Sequence, residues 1–423
     1  MTRLVAGRSL VVISGALIAF ATLTPHAGPP PPFDPLCIVC GELGGVDVVL
    51  NVILFLPLGL GLALAGVRPL RAIGGMFAAS LTIELLQLFV IPGRDSTIGD
   101  VLMNSIGGAL GFAIGAHLKS LVQPRGRAAV TLLLAWSVAW LVVQSVAAYS
   151  LAPALTRSRY YGQIARELGE MLSAFPGEVL KPTVDSVRIT DRELPDNEVR
   201  ALLLRPQGSL IQATVIPRGC PMKTAGIVRI ADADMREIVL LAQDNADLLV
   251  GVRSGAEVLR LRPMRYRLRH VFGPGSTCAL VADTILIQAR YTRTAVLVRA
   301  AARGRIVEQT IAPSVSQGWR LFLPMQTYID SGAQGAALTA MWLFILMMPA
   351  GYCALFAARS FRLGNVPVNA TAVVFVLAVL IIAFVGVPGL FGLPPARAWE
   401  WIAAIGGAAV GATGAILAQS HFQ

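Results

Sequence analysis

Three apolar stretches near the N-terminus each carry a polar pair at helical spacing. They contain Asp47-Val-Val-Leu-Asn51, Glu84-Leu-Leu-Gln87 and Asp100-Val-Leu-Met-Asn104. Residues three or four apart lie on one face of a helix, so each pair projects in one direction. Ionisable groups inside membrane-grade sequence are costly and need partners. These segments therefore predict membrane-spanning helices whose polar groups have a structural or functional role.

The composition of the whole chain indicates a polytopic membrane protein. Of its 423 residues, 55% are hydrophobic and only 14% are charged, and its mean hydropathy is +0.67. A spanning helix needs roughly 20 apolar residues to cross the hydrocarbon layer. Eight stretches meet this requirement, at about residues 9–24, 46–66, 70–90, 98–118, 128–150, 334–357, 369–390 and 396–418. The sequence thus predicts an α-helical membrane protein with about eight transmembrane helices.

Basic residues predict the orientation of these spans. If the N-terminus is cytoplasmic, the inside loops hold Arg3, Arg8, Arg68, Arg71, Lys119, Arg125, Arg127, Arg359 and Arg362, whereas the short outside loops hold only Arg94 and Arg397. This bias follows the positive-inside rule through every span. We therefore expect a multi-pass protein of the cytoplasmic (inner) membrane with both termini in the cytoplasm. A cleaved signal peptide is the alternative for the first span, but Thr24-Pro-His-Ala27 places Pro where a small residue is needed.

The spans divide the chain into four parts. Residues 1–120 are predicted to form a four-helix membrane domain, 121–150 a fifth span, 151–332 an extracytoplasmic domain, and 333–423 a three-helix membrane region. Residues 151–332 carry 24 Lys and Arg against 17 Asp and Glu. Because this part is expected outside the cytoplasm, its basic charge favours contact with solvent, anionic lipid or envelope polymer, and not with nucleic acid.

Residues 151–332 have the pattern of a mainly-β domain. Apolar residues at helical spacing come first, over 155–172. Short β-type runs follow, at 209–216, 227–230, 238–241, 248–252, 258–261, 284–288, 295–298, 306–311 and 319–323. Many short strands favour a β-sandwich. The stretch from Arg229 to Arg253 resembles the concanavalin A-like, laminin-G-type jelly roll, which implies carbohydrate binding; a structural sandwich is the alternative.

Four cysteines are expected on the oxidising side of the membrane, namely Cys37, Cys40, Cys220 and Cys278. Within the β domain, Cys220 and Cys278 are the natural long-range pair. Cys37 and Cys40 are then expected to form a local disulfide. A zinc site there would need two further ligands, and His26 is the one nearby candidate, so we predict neither a metal site nor a cofactor.

The ordered motifs of the first four spans resemble the VanZ-like membrane family. Asp47-x3-Asn51 leads to Leu-Phe-x-Pro-Leu-Gly59, Glu84-x2-Gln87 follows, and Arg94-x5-Asp100-x3-Asn104 ends in Gly107-Gly108. The resemblance covers about residues 10–118. It implies a link to teicoplanin (glycopeptide) resistance, without an established reaction mechanism.

The three polar pairs are expected at one depth in the outer leaflet, because consecutive spans run in opposite directions. The candidate binding residues are Asp47, Asn51, Glu84, Gln87, Arg94, Asp100 and Asn104. Arg94, in the turn between spans three and four, would engage a phosphate or carboxylate. Glu84 or Asp100 would be the general base of an enzyme. Hydrogen bonding that merely joins helices is the alternative for the whole set.

The sequence leaves three functions open. The first is an outward-facing polar cleft that binds or modifies an envelope lipid, a cell-wall glycan or a lipid-linked precursor. The second is an envelope-recognition or scaffold protein whose carbohydrate-binding-like β domain is the active part. The third is a transporter, which the lack of charged residues in the middle of the spans argues against. The sequence has no Ser-His-Asp set and no HExxH motif, so enzymatic activity stays an open question.

Overall fold

Eight membrane-length helices and two β-sheets make up the structure. It is a computed structural model that describes residues 2–25, 34–94, 96–168, 172–273, 284–292, 294–302, 304–329, 332–360 and 368–420. Within these ranges, eight helices are long and apolar enough to cross a membrane. The prediction of a polytopic helical membrane protein with a β domain is confirmed.

Four long helices and a short one come first. They are α1 (Thr2–Leu23), α2 (Gly44–Leu64), α3 (Pro69–Phe89), α4 (Ile98–Ala116) and the short α5 (Leu118–Val122). Glycines let the backbones of α2 and α4 meet: a Cβ on Gly107 would overlap the carbonyl of Val52, and a Cβ on Gly111 would overlap that of Leu56. Small residues allow this close approach between membrane helices. As a result, the polar faces of α2 and α4 lie side by side.

The β domain follows helix α6 (Arg127–Leu151). Its elements are β1 (Tyr160–Ile164), β2 (Ser173–Ala174), β3 (Gly177–Val184), β4 (Val187–Arg188), β5 (Glu193–Leu194), α7 (Asp196–Leu203), β6 (Ser209–Pro217), β7 (Ala225–Asp232), β8 (Glu237–Asp244), β9 (Asp247–Val252), α8 (Gly255–Val258), β10 (Arg265–Leu268), β11 (Ile285–Tyr291), β12 (Val296–Ala302) and β13 (Arg305–Ile311). A 3₁₀ helix (Val315–Phe322) leads out of the domain.

The strands form two sheets that share one hydrophobic core. The seven-stranded sheet has the order β10-β9-β8-β7-β1-β5, with β2 added beside β7, and the six-stranded sheet has the order β13-β12-β11-β6-β3-β4. All pairings are antiparallel except that of β2 with β7. Alternate residues of both sheets are buried together, among them Val228 and Val250 of one sheet and Ile211 and Ile287 of the other. This arrangement is a β-sandwich.

Three local expectations for this domain are wrong. Residues 160–164 form β1 and not a helix, because they pair with the neighbouring strands β5 and β7. Residues 258–261 are not a strand: Ser254 and Glu257 make a reciprocal capping box that starts the short α8. Residues 319–323 lie largely in the 3₁₀ helix. In each case pairing or capping overrides a local apolar pattern.

The β domain sits on one end of the helices. The backbone N–H of Gly45, at the start of α2, donates to the carbonyl of Arg260 at 3.1 Å. Val46 of α2 and Leu151 of α6 are part of the hydrophobic core of the β domain. We call this end of the membrane helices the β-domain end.

Three further spans complete the chain. They comprise α9 (Ala333–Ser360), α10 (Val368–Ile381), which continues through a π-helical turn (Ile382–Gly386) into α11 (Val387–Leu390), and α12 (Ala398–Ser420). Phe384 of the π-helical turn packs edge-on against Trp140 of α6, with ring centroids 5.5 Å apart, and against Trp401 of α12, at 5.1 Å. The C-terminal helices therefore pack on α6.

Candidate functional site

The predicted polar residues of α2, α3 and α4 lie at the β-domain end of these helices. Asp47 is in the first turn of α2 and Asp100 in the first turn of α4. Gln87 is in the last turn of α3, and Glu84 lies one turn before it. Asp47 is exposed, whereas Glu84 and Gln87 are buried.

Four side chains form a hydrogen-bonded group that we call the carboxylate network: Asn51, Glu84, Thr97 and Asp100. Asn51 donates its amide to Oδ1 of Asp100. The hydroxyl of Thr97 donates to Oδ2 of the same carboxylate at 3.0 Å, and the backbone N–H of Thr97 donates to Oε2 of Glu84, also at 3.0 Å. Thus Thr97 joins two carboxylates that the sequence places on different helices.

The start of helix α4 explains the position of the carboxylate network. Thr97 is the N-cap residue of α4 and accepts a hydrogen bond from the backbone N–H of Asp100 at 3.2 Å. The N-terminus of a helix exposes unpaired N–H groups and favours nearby negative charge. Glu84 of α3, only 5% exposed, thereby accepts a hydrogen bond from a backbone donor at the start of α4. The network is a joint between α2, α3 and α4 that carries two acidic groups.

Thr97 is a residue that the sequence reasoning missed. Its signal is the Thr-Ile-Gly-Asp sequence at 97–100, in which a Thr precedes an acidic residue by three positions at the start of an apolar run. That spacing is typical of a capping box. A carboxyl in a membrane helix is costly and therefore indicates a role, whereas a hydroxyl in a loop carries no such cost and gives a weaker signal.

A second polar contact lies deeper between the helices. The amide of Asn104 on α4 donates to the hydroxyl of Ser80 on α3 at 3.0 Å. Both residues are buried, with exposed fractions of 2% and 0%. This contact is of the kind that holds membrane helices together.

Gln87 and Arg94 contact helix α1. The amide of Gln87 donates to the carbonyl of Thr22 at 2.8 Å. The guanidinium of Arg94 donates to the carbonyls of Thr24 at 3.1 Å and Ala21 at 2.6 Å. The last carbonyls of a helix lack intrahelical partners, so these donors cap the end of α1. The structure therefore brings Asn51, Glu84 and Asp100 together and directs Gln87 and Arg94 to α1; Asp95 lies outside the described residues.

The carboxylate network offers acceptors for hydrogen bonds and two candidate bases. Carboxylates accept from hydroxyl or amide groups of a bound molecule, and a carboxylate within reach of a substrate proton can act as a general base. In the described part of the chain, no group of three His, Cys, Asp or Glu residues is arranged to hold a metal ion. The described residues of the carboxylate network can take part in hydrogen bonding and proton transfer.

A disulfide holds the loop beside the site. Cys37 and Cys40 are bonded, which confirms the expected local pair. The carbonyl of Cys37 accepts from the backbone N–H of Gly99, at the start of α4, at 3.2 Å. Cys220 is also disulfide-bonded, whereas its predicted partner Cys278 lies outside the residues that the structure describes.

The fold and the site define a class: a polytopic helical membrane protein with a β-sandwich between its fifth and sixth spans. Residues 8–119 match the VanZ/LLP1 family. This part of the chain, about a quarter of its length, is similar to the VanZ/LLP1 family, and the predicted resemblance is confirmed. No match was found among curated proteins or among solved structures.

Proposed function

We propose that this VanZ-like protein resides in the cytoplasmic (inner) membrane and binds or modifies an envelope lipid or lipid-linked glycan at the outer leaflet. Both termini are cytoplasmic and the β domain is extracytoplasmic in this proposal. The observation that carries it is the convergence of two carboxylates, Glu84 and Asp100, on Thr97 at the β-domain end of the helices. Structural bonding between helices alone could be supplied by amides and hydroxyls, as Asn104 and Ser80 do.

The distribution of basic residues supports the proposed orientation. With the β domain outside, the inside loops hold nine Lys and Arg and the short outside loops hold Arg94 and Arg397. This is the asymmetry that the positive-inside rule requires. The carboxylate network then faces the outer leaflet, where lipid headgroups and lipid-linked envelope precursors are found.

The network would act by accepting hydrogen bonds. Hydroxyl groups of a sugar or headgroup would donate to Asp100 and Glu84, and Asn51 would orient them. In a catalytic variant of the same function, one carboxylate would take a proton from a bound hydroxyl as a general base. Because Arg94 caps the end of α1, its role in this proposal is to position the helices around the site and not to bind the ligand directly.

The test is the substitution Glu84→Gln. The amide oxygen of Gln can still accept from the N–H of Thr97, so this contact is kept while the negative charge and the base are lost. Cells that depend on this protein are challenged with teicoplanin and with envelope stress, and membrane abundance is measured alongside. We expect loss of protection at normal abundance, equal to that of a deletion strain.

Thr82→Ala is the matched control. Thr82 lies two residues before Glu84 on the same helix, is exposed, and its hydroxyl bonds only within α3, to Ala78 at 2.8 Å. This variant should protect as the wild type does. Full protection by Glu84→Gln would contradict the proposal. Loss of this variant from the membrane would also contradict it, since the network would then serve only to hold the helices together.

A further inference from the structure

A cleft of about 880 Å³ opens between the β domain and the loop that precedes α2. One wall is the face of the seven-stranded sheet that points away from the sandwich core. The facing loop contributes Gly41, Glu42 and Leu43. A cavity of this size accommodates a small ligand or a headgroup.

Five arginines line this cleft: Arg236, Arg260 and three that lie on strands of the seven-stranded sheet or directly follow one. Arg229 is on β7, Arg253 directly follows β9, and Arg265 is on β10. Successive side chains of a strand point to opposite faces. The residues one position away belong to the sandwich core, namely Val228, Val252 and Tyr266. Strand pairing therefore gathers three guanidinium groups on the cleft side of the sheet.

One carboxylate serves two of these arginines. Arg265 donates to both oxygens of Glu237, and the contact of its NH2 with Oε2 is 3.0 Å. Arg229 lies 4.0 Å from the same oxygen through Nε, and it donates to Oε1 of Gln163 at 2.8 Å. Burial lowers the pKa of Arg229, and Glu237 counteracts that effect. Glu237 thus lies within 4.0 Å of both guanidinium groups, and Asp232 and Glu42 also act on Arg229 from farther away.

Arg253 has no such partner among the residues that the structure describes. Its side chain is 7% exposed, and its Nε is buried without a hydrogen bond. Among the described residues, none makes a hydrogen bond or ion pair with its guanidinium. A charged group that is buried without a partner is destabilising. An anion in the cleft would remove that cost.

Two other carboxylates of the cleft are engaged by groups other than the three arginines. Asp234 pairs with Arg236. Glu257 accepts hydrogen bonds from the N–H and the hydroxyl of Ser254, at 3.1 and 2.9 Å. Burial raises the pKa of Glu257, although Arg265 and Ser254 act in the opposite direction. Glu42 remains at the rim, on the loop before α2.

Apolar side chains form the remaining walls of the cleft. They are Leu43, Leu168, Leu172, Met235, Val258, Leu261 and Pro263. A charged floor between apolar walls suits a molecule that has an anionic group and an apolar part. Guanidinium groups bind phosphate and carboxylate in forked geometry, and a phosphate offers more oxygens to three arginines.

We propose that this cleft binds a phosphate group carried by an amphiphile. Arg253, Arg229 and Arg265 bind the phosphate oxygens, and the leucines contact the apolar part. The site is separate from the carboxylate network and does not rest on the function proposed for it. It gives the β domain a ligand of its own at the boundary with the membrane domain.

The experiment is a titration of the purified full chain in detergent, with bound ligand counted by native mass spectrometry. Three probes separate the contributions: dihexanoyl phosphatidic acid has both parts, dihexanoylglycerol lacks the phosphate, and inorganic phosphate lacks the apolar part. We expect one phosphatidic acid per chain, with affinity at least about tenfold above either partial probe. If dihexanoylglycerol binds as tightly as phosphatidic acid, the phosphate is not recognised and the proposal is wrong. If inorganic phosphate binds as tightly, the apolar part of the ligand is not recognised, and the proposal of an amphiphile is wrong.

Arg253→Gln locates the site. This variant should bind phosphatidic acid about tenfold more weakly, a change of about 1.4 kcal/mol. Without ligand it should melt no lower than the wild type, because a buried unpaired cation has been removed. Arg290→Gln is the control, since Arg290 is exposed on the other sheet.

Two results would overturn the assignment of this site. One is wild-type affinity in Arg253→Gln; the other is an equal loss of affinity in Arg290→Gln. If Arg253→Gln does not fold, Arg253→Lys serves the same test. It keeps the charge and loses the planar fork, so a several-fold weaker affinity is expected and an unchanged one overturns the proposal.

Discussion

Glu400 should be among the residues on which the stability of the C-terminal spans depends most. It is fully buried in the first turn of α12. Its carboxylate accepts a hydrogen bond from the hydroxyl of Ser314 at 2.7 Å and from the backbone N–H of Arg397 at 2.6 Å. It thus ties α12 to the chain that leaves the β domain. Glu400→Ala removes both contacts and leaves the buried hydroxyl of Ser314 without this acceptor.

The magnitude follows from these two contacts. A hydrogen bond to a charged group contributes about 1.5–3 kcal/mol, so two such bonds give about 3–6 kcal/mol. Arg397 is exposed and its N–H can bond to water instead, so we expect a loss of about 3–4 kcal/mol. Glu400→Gln keeps one acceptor and should lose about half as much.

Thermal unfolding of the detergent-solubilised chain measures this loss. Trp401 lies next to Glu400 and packs against Phe384, so tryptophan fluorescence reports the unfolding of this region. With an unfolding entropy of about 2.1 cal/mol/K per residue, Glu400→Ala should lower Tm by about 4 °C if the whole chain unfolds as one unit. The shift is larger if the C-terminal helices melt by themselves.

Glu308→Ala is the control for this experiment. Glu308 is exposed on β13 and lies 3.6 Å from Arg299, a surface ion pair that contributes at most about 1 kcal/mol. Its Tm should stay within about 1 °C of the wild type. A Tm for Glu400→Ala that equals that of Glu308→Ala would refute the reasoning.

Two further predictions concern helix contact and pH. Gly111→Val should separate α2 from α4, because the side chain would overlap the carbonyl of Leu56, and it should lower the free energy of unfolding by about 1–3 kcal/mol. Gly75→Val is the control and should leave stability unchanged, because the space around Gly75 is open. Equal Tm values for the two variants would contradict this prediction. Burial raises the pKa of Asp232, but hydrogen bonds from Arg236 and Thr156 outweigh burial and hold it below its usual value. Stability from Asp232 is therefore present above about pH 4 and is lost as the pH falls through its lower native pKa. Asp232→Asn should melt lower near neutral pH and should show a smaller decline in Tm under acid; parallel declines in the two proteins would argue against this.

Hydropathy predicted the membrane part because it responds to a local requirement. Backbone groups in hydrocarbon must bond within their own segment, so an apolar stretch of roughly 20 residues becomes a helix whatever surrounds it. All eight spans follow from that requirement. The Cys37–Cys40 pair was predictable for a similar reason, since residues three apart need no distant contact to meet.

The strands of the β domain were less predictable. The runs at 209–216 and 238–241 became β6 and β8, whereas 258–261 and 319–323 took helical turns under capping by local side chains. A short apolar run forms a strand only where a partner strand is available, and the run itself does not show whether one is. That partner is supplied by residues far along the chain.

The sequence by itself determined the number of spans, the VanZ-like motifs and the polar pairs, because each depends on spacing within one helix. Tertiary structure decided what those groups contact: Thr97 joins Glu84 to Asp100, and Arg94 caps α1. It also gathered Arg229, Arg253 and Arg265 in one cleft. The physical reason is that helix packing and strand register determine which distant side chains share a face. The spacing of residues within one segment determines neither of them.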